Sequence, residues 1–77
     1  SQGSSEHSIC VAVPGRMAAA AEQAVRRAFA VELEQGQIQS VGVQDSCSII
    51  AVVGDGMAGI PGVAGKFLGT LGGAGIN

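Results

Sequence analysis

The stretch Cys47-Ser-Ile-Ile-Ala-Val-Val-Gly-Asp-Gly-Met57 decides how this chain is read. A short apolar strand runs into a glycine-rich turn, and the turn feeds a second apolar segment, Pro61 to Leu71, whose spacing is helical. Ile49, Ala51 and Val53 fall on one side of the strand, Ile50 and Val52 on the other. Apolar residues on both sides are expected of a central strand covered above and below. Strand, flexible turn and exposed helix start together present backbone N–H groups to a small anionic ligand.

Working outward, Asp45-Ser46 turns back into Ile38–Gln44, a second strand with Val41 and Val43 on one face and Gly42 between them. Before it, Met17 to Glu34 reads as one helix. Ala21, Ala24, Val25, Ala28, Phe29 and Leu33 recur at three- and four-residue spacings and form one apolar stripe. Glu22 precedes Arg26 by four residues in the favourable orientation, and Gly36 is placed to end the helix in the left-handed conformation. At the start of the chain, His7 to Val13 alternates, and Pro14-Gly15 ends it. In the last helix, Ala64, Phe67, Leu68 and Leu71 form the expected buried stripe, and Pro61 suits the first helical position. Gly65, Gly69, Gly72 and Gly73 are poor helix formers, so close packing against the sheet or another helix is their expected use; fraying past Leu71 is the alternative.

The order strand–helix–strand–strand–helix predicts an α+β fold. The third strand should lie antiparallel between the other two, with both helices on one face, as in an incomplete ferredoxin-like βαββαβ unit. A fourth strand after Asn77 would complete the sheet, and without it the edge beside His7–Val13 stays open to another chain. The apolar second face of Cys47–Val53 likewise calls for a covering subunit or domain. The ending Ala74-Gly75-Ile76-Asn77 leads one to expect a further strand, and hence a piece of a longer protein.

Composition narrows the function. Seventy-seven residues make one small domain of marginal stability. A net charge of −2 with 13% charged residues leaves no basic face for nucleic acid. No apolar run reaches the ~20 residues of a membrane span, and no secretory signal opens the chain. Cys10 and Cys47 each sit in an apolar run, so buried reduced thiols are expected rather than a disulfide or metal site, and with them a cytoplasmic location.

Two stretches could hold a ligand. Gly54-Asp55-Gly56-Met57-Ala58-Gly59-Ile60-Pro61-Gly62 fits neither a Walker loop nor a dinucleotide fingerprint, so a structural loop is as good a reading of it as a ligand loop. Ser1-Gln2-Gly3-Ser4-Ser5-Glu6-His7 offers an amide and hydroxyls for a carboxylate and Glu6 for an ammonium; the plainer reading is a solvated terminus. His7 has no triad partner, and no carboxylate pair is placed for acid–base work, so no catalytic residue is expected.

Ser1-Gln-Gly-Ser-Ser-Glu-His-Ser-Ile9 with Cys10-Val-Ala-Val-Pro14 resembles the regulatory region of aspartokinases. Adding Cys47–Met57 and Gly62-Val-Ala-Gly-Lys-Phe67, the likeness is nearest to the bifunctional aspartokinase–homoserine dehydrogenases. The resemblance implies an ACT region, the βαββαβ module that binds amino-acid effectors. Residues 1–44 resemble the second half of one unit and 45–77 the first half of the next. It implies effector contacts at Gln2, Ser4, Ser5, Glu6, Asp55, Gly56, Met57, Gly62 and Val63, with threonine as the effector and lysine or leucine as alternatives. It also implies pairing of ACT units into a homo-oligomer, no cofactor in this segment, and a parent enzyme using ATP with magnesium and, if bifunctional, NADP. A ligand-free dimerisation module is the rival reading. A small ferredoxin-like enzyme such as an acylphosphatase ranks last, since only Arg16 lies near a glycine-containing turn.

Overall fold

A computed structural model of the chain describes residues 6–44, 48–55 and 62–76. Along the chain come β1 (Glu6–Ala12), a 3-10 turn at Gly15–Met17, α1 (Ala18–Ala28), α2 (Ala30–Gln35), β2 (Ser40–Gln44), β3 (Ile49–Asp55) and α3 (Val63–Gly73). The strands form one antiparallel sheet in the order β1-β3-β2, so the most apolar strand lies at the centre. This is the α+β arrangement of an incomplete ferredoxin-like unit that the order of elements predicts.

Register assigns every strand residue to a face. Ile9, Val52 and Val41 stand in one cross-strand row, and Val11, Ile50 and Val43 in the next. These rows meet Ala21 and Val25 of α1, Phe29, and Val63, Phe67 and Leu71 of α3 in a single core. Both helices therefore cover the same face. Burying a Val, Leu, Ile or Phe side chain is worth about 1.5–3 kcal/mol, and a core without Trp or Tyr depends on many such contributions. On the opposite face the rows are Glu6–Asp55, Ser8–Val53–Ser40, Cys10–Ala51–Gly42 and Ala12–Ile49–Gln44. No described element covers them; Ile49, Ala51 and Val53 are half-buried, and Ser8, Cys10 and Ala12 are exposed.

Cys10 thus departs from the buried thiol expected of it. Its neighbours Ile9 and Val11 take the core side, and strand alternation leaves Cys10 on the open one. Cys47 lies outside the described residues.

The helix expected over 17–34 is divided. At Phe29 the backbone opens to φ −105°, ψ 23°, ending α1. Helical bonding still spans the break, from the Phe29 N–H to the Val25 carbonyl at 3.0 Å and from the Leu33 N–H to the Phe29 carbonyl at 2.8 Å. The break is therefore a one-residue distortion, and it coincides with the residue whose ring enters the core. Gly36 closes α2 in the left-handed conformation, φ 83°, as predicted.

The stripe on α3 is also shifted. Val63, Phe67 and Leu71 face the core, whereas Ala64 is exposed and Leu68 is 55% exposed. Phe67 and Leu71 belong to both stripes, and in so apolar a helix the hydrophobic pattern does not separate a line beginning at 63 from one beginning at 64. The glycines are not there for close packing: a Cβ at Gly65, Gly69, Gly72 or Gly73 would meet nothing within 4 Å. Nor does the helix fray after Leu71. Gly75, at φ 80°, turns the chain so that the Ile76 N–H donates to the Leu71 carbonyl at 2.9 Å, and Ile76 is buried. This is a Schellman closure with its usual apolar contact.

Candidate functional site

β1 begins and β3 ends at the same edge of the molecule. Glu6 and Asp55 are Cα partners in the ladder, followed by His7 with Gly54. Glu6 and His7 of one polar stretch therefore stand beside Gly54 and Asp55 of the other at one end of the sheet, within one chain. Gln2, Ser4, Ser5, Gly56, Met57 and Pro61 lie outside the described residues. Gly62 precedes α3 at φ 83°, ψ 0° and receives the Lys66 N–H on its carbonyl at 2.8 Å, which closes the first helical turn. Val63 is 6% exposed, so its side chain belongs to the core and only its backbone is available to a ligand. Among the described residues no side chain caps α3, and its first turn carries no acid. The first turn presents N–H groups that no bond within the helix satisfies, at the positive end of the helix dipole.

Gly54 fixes where the turn leaves the sheet. A Cβ there would stand 2.7 Å from the Gln37 carbonyl oxygen and 3.3 Å from the Ile38 Cα. Only glycine lets the chain pass beneath the 37–39 segment, whose Gln39 N–H bonds the Val53 carbonyl at 2.6 Å. The glycine-rich pattern flagged the turn, but nothing local in the sequence shows that Gln37 crosses it.

A second support was not legible at all. Lys66 on α3 pairs with Glu32 on α2 at 2.8 Å, and its ammonium lies 4.7 Å from the centre of the Phe29 ring. The hydrogen bond from Lys66 holds the Glu32 carboxyl below its ordinary range, aided by the backbone N–H of Glu32. The contact joins residues 34 positions apart, and no periodicity encodes it. It ties the helix that starts at the candidate turn to the α2 end of the helical layer.

Elsewhere the structure offers little chemistry. Among the described residues no group of His, Cys, Asp and Glu could hold a metal ion. No described helix is long and apolar enough to cross a membrane. A shallow cavity of about 310 Å³ is lined by Ala19, Ala20, Gln23 and Arg27, on α1 alone.

Residues 50–77 match the ACT domain family, and they span β3 from its second residue, the turn and α3. That segment is ACT-domain sequence, set in the α+β sheet that the family implies. Over all 77 residues the chain is 43% identical to bifunctional aspartokinase/homoserine dehydrogenase 2, chloroplastic, from Arabidopsis thaliana, and 42% identical to the corresponding protein 1 of that plant. It is 41% identical over 76 residues to the bifunctional aspartokinase/homoserine dehydrogenase of Haemophilus influenzae. These alignments take in 99–100% of this chain but only 8–9% of each relative's length. No solved structure matches.

Proposed function

We propose that this chain is part of the regulatory region of an aspartate-pathway enzyme and senses a free amino acid, threonine first among the choices. The observation that supports the reading is the pairing of Glu6 with Asp55 at one end of the sheet, one residue from each of the two polar stretches. In this proposal Gln2, Ser4 and Ser5 with the N–H groups at Gly56, Gly62 and Val63 receive the effector carboxylate. Glu6 and Asp55 receive its ammonium, and Met57 lies against its side chain. A ligand that binds one arrangement of paired ACT units better than another shifts the population toward it, and so sets the state of the attached catalytic domains. Those domains, with ATP, magnesium and NADP chemistry, belong to the parent enzyme in this reading, as does a cytoplasmic location.

The same reading divides the chain at residue 44 between consecutive ACT units. A family match that begins at residue 50 supports it. The test is calorimetric titration of threonine, lysine and leucine into the chain extended at both ends to complete its units, with Gln2→Ala as the variant. Heat from threonine that weakens in the variant is the expected result; unchanged affinity in the variant removes Gln2 from the site.

The open sheet face, whose three rows beyond the terminal Glu6–Asp55 pair carry no charged residue, favours a second reading, a module that only pairs. Dimers of equal stability with and without amino acid, and no binding heat, would select it.

A further inference from the structure

The end of β3 and the start of α3 are both held by one short segment, residues 32–39. At the near end Gly54 passes beneath Gln37, and the Gln39 N–H donates to the Val53 carbonyl at 2.6 Å. At the far end the Lys66 N–H closes the first turn of α3 on the Gly62 carbonyl at 2.8 Å. The Lys66 ammonium then reaches back to the Glu32 carboxylate, also at 2.8 Å. Glu32 in turn receives the Ile38 N–H on its backbone carbonyl at 3.1 Å. Bonds therefore run from Gly62 through Lys66, Glu32, Ile38 and Gln39 to Val53, beside Gly54 and Asp55. They link the two ends of the proposed amino-acid turn without passing through the turn itself.

What keeps this segment in place decides what the path can do. α2 has six residues, and none of them is fully buried. So short a helix is not stable alone, and depends on what anchors it. Phe29 before it and Ile38 after it are each 1% exposed, and Leu33 packs against the same core. The side-chain bond that ties α2 to another helix is the one from Lys66, whose ammonium also stands over the Phe29 ring. We propose that Lys66 is a positioning residue for the turn: by holding Glu32 it seats α2 and residues 37–39 over Gly54, and so sets the turn's two ends relative to each other. The proposal rests on the reading of that turn as part of an amino-acid site. Lys66 and Glu32 are not among the proposed ligand contacts, so they act on affinity through geometry. Coupling of this kind is reciprocal, and an amino acid that favours the seated arrangement also steadies α2.

The test is native-state amide exchange of the chain, followed at residue 66, Ile38 and Gln39. The Val13 N–H, bonded to the Ser48 carbonyl at the other end of the sheet, is the reference. Lys66→Met keeps an apolar stem and removes the charge. It should speed exchange at the three sites about two- to fivefold relative to Val13, the range open to a half-exposed ion pair. Glu32→Ala should do the same, and the double variant should add nothing further. Lys66→Arg, which keeps the cation, should stay close to the unchanged chain. Faster exchange at residue 66 alone overturns the proposal, because the pair is then a local contact. An equal rise at Val13 also overturns it, because the effect is then one of overall stability. Calorimetry with threonine separates this inference from the reading beneath it. Threonine should bind Lys66→Met about two- to fivefold more weakly, and should slow exchange at Ile38 and Gln39 in the unchanged chain. Equal affinity in the two chains overturns the positioning role. If the unchanged chain gives no heat, the amino-acid reading fails, while exchange still decides whether Lys66 holds the two ends together.

Discussion

The two faces of the sheet share a backbone and differ in what they are given to do. On the helix side, Ile50, Val52 and Val41 are almost wholly buried beneath Phe29 and Phe67. On the other side, Ile49, Ala51 and Val53 lie among serines, small residues and Cys10, half in contact with water. From β3 alone the faces look equal, because both are apolar. The partner strands break the tie: β1 and β2 place valine and isoleucine toward the helices and Ser8, Cys10, Ala12, Ser40 and Gly42 away from them. A central strand that is apolar on both sides therefore says that two surfaces await cover, not that one chain supplies both.

Adjacent isoleucines give the strongest way to break this comparison. Ile50→Ala should cost about 2–5 kcal/mol, as for other buried large-to-small changes, and in so small a domain that is enough to unfold much of the population. Ile49→Ala, one residue earlier on the open face, should cost far less. Equal losses in chemical denaturation would mean that the open face is covered in solution.

Gly54→Ala comes next. Its Cβ would meet the Gln37 carbonyl at 2.7 Å, and because the obstacle is backbone, the strand end must move. A destabilisation of about 1–3 kcal/mol, the usual range for overpacking, is expected, with amide exchange accelerating first near Gln37–Gln39 and Asp55. A neutral Gly54→Ala would show that this crossing is loose.

The smallest effect concerns Lys66. The Glu32 carboxyl is held below its unfolded value, so the pair adds stability above that unfolded value and loses it as pH falls through the lowered one. Lys66→Met should flatten this acid-side part of the stability profile and leave the neutral-pH fold intact. Added salt should mimic the change, because Lys66 is 42% exposed. An unchanged acid limb would mean that Lys66 does not hold the Glu32 carboxylate in solution.

Much of the fold was legible because it rests on local periodicity. The alternation of His7–Val13, the long stripe ending at Gly36, and the two-sided apolar run at 47–53 suffice to predict the strand order and the side the helices take. What escaped depends on contacts between distant residues. The break at Phe29 accompanies a ring that meets Lys66, and the stripe on α3 turns by one residue because the core, not the helix, decides its orientation. Cys10 looked buried because it sits in an apolar run whose neighbours, Ile9 and Val11, pack against the core. At the candidate site, the resemblance set both polar stretches against one effector, but no local pattern showed Glu6 standing opposite Asp55, which follows from a register linking residues 49 positions apart. Glu6, Asp55, Gly62 and Val63 can be placed; the remaining proposed contacts lie outside the described residues.

The central claim is that an amino acid binds where those stretches converge. The direct measurement is amide chemical-shift mapping of the isotopically labelled chain as threonine is added. The account predicts saturable shifts at Glu6, His7, Asp55, Gly62 and Val63, with the amides of Ala19–Arg27 and Ser40–Gln44 unmoved. Saturable shifts confined to α1 or the open sheet face, or no shift with any of threonine, lysine and leucine, would contradict it.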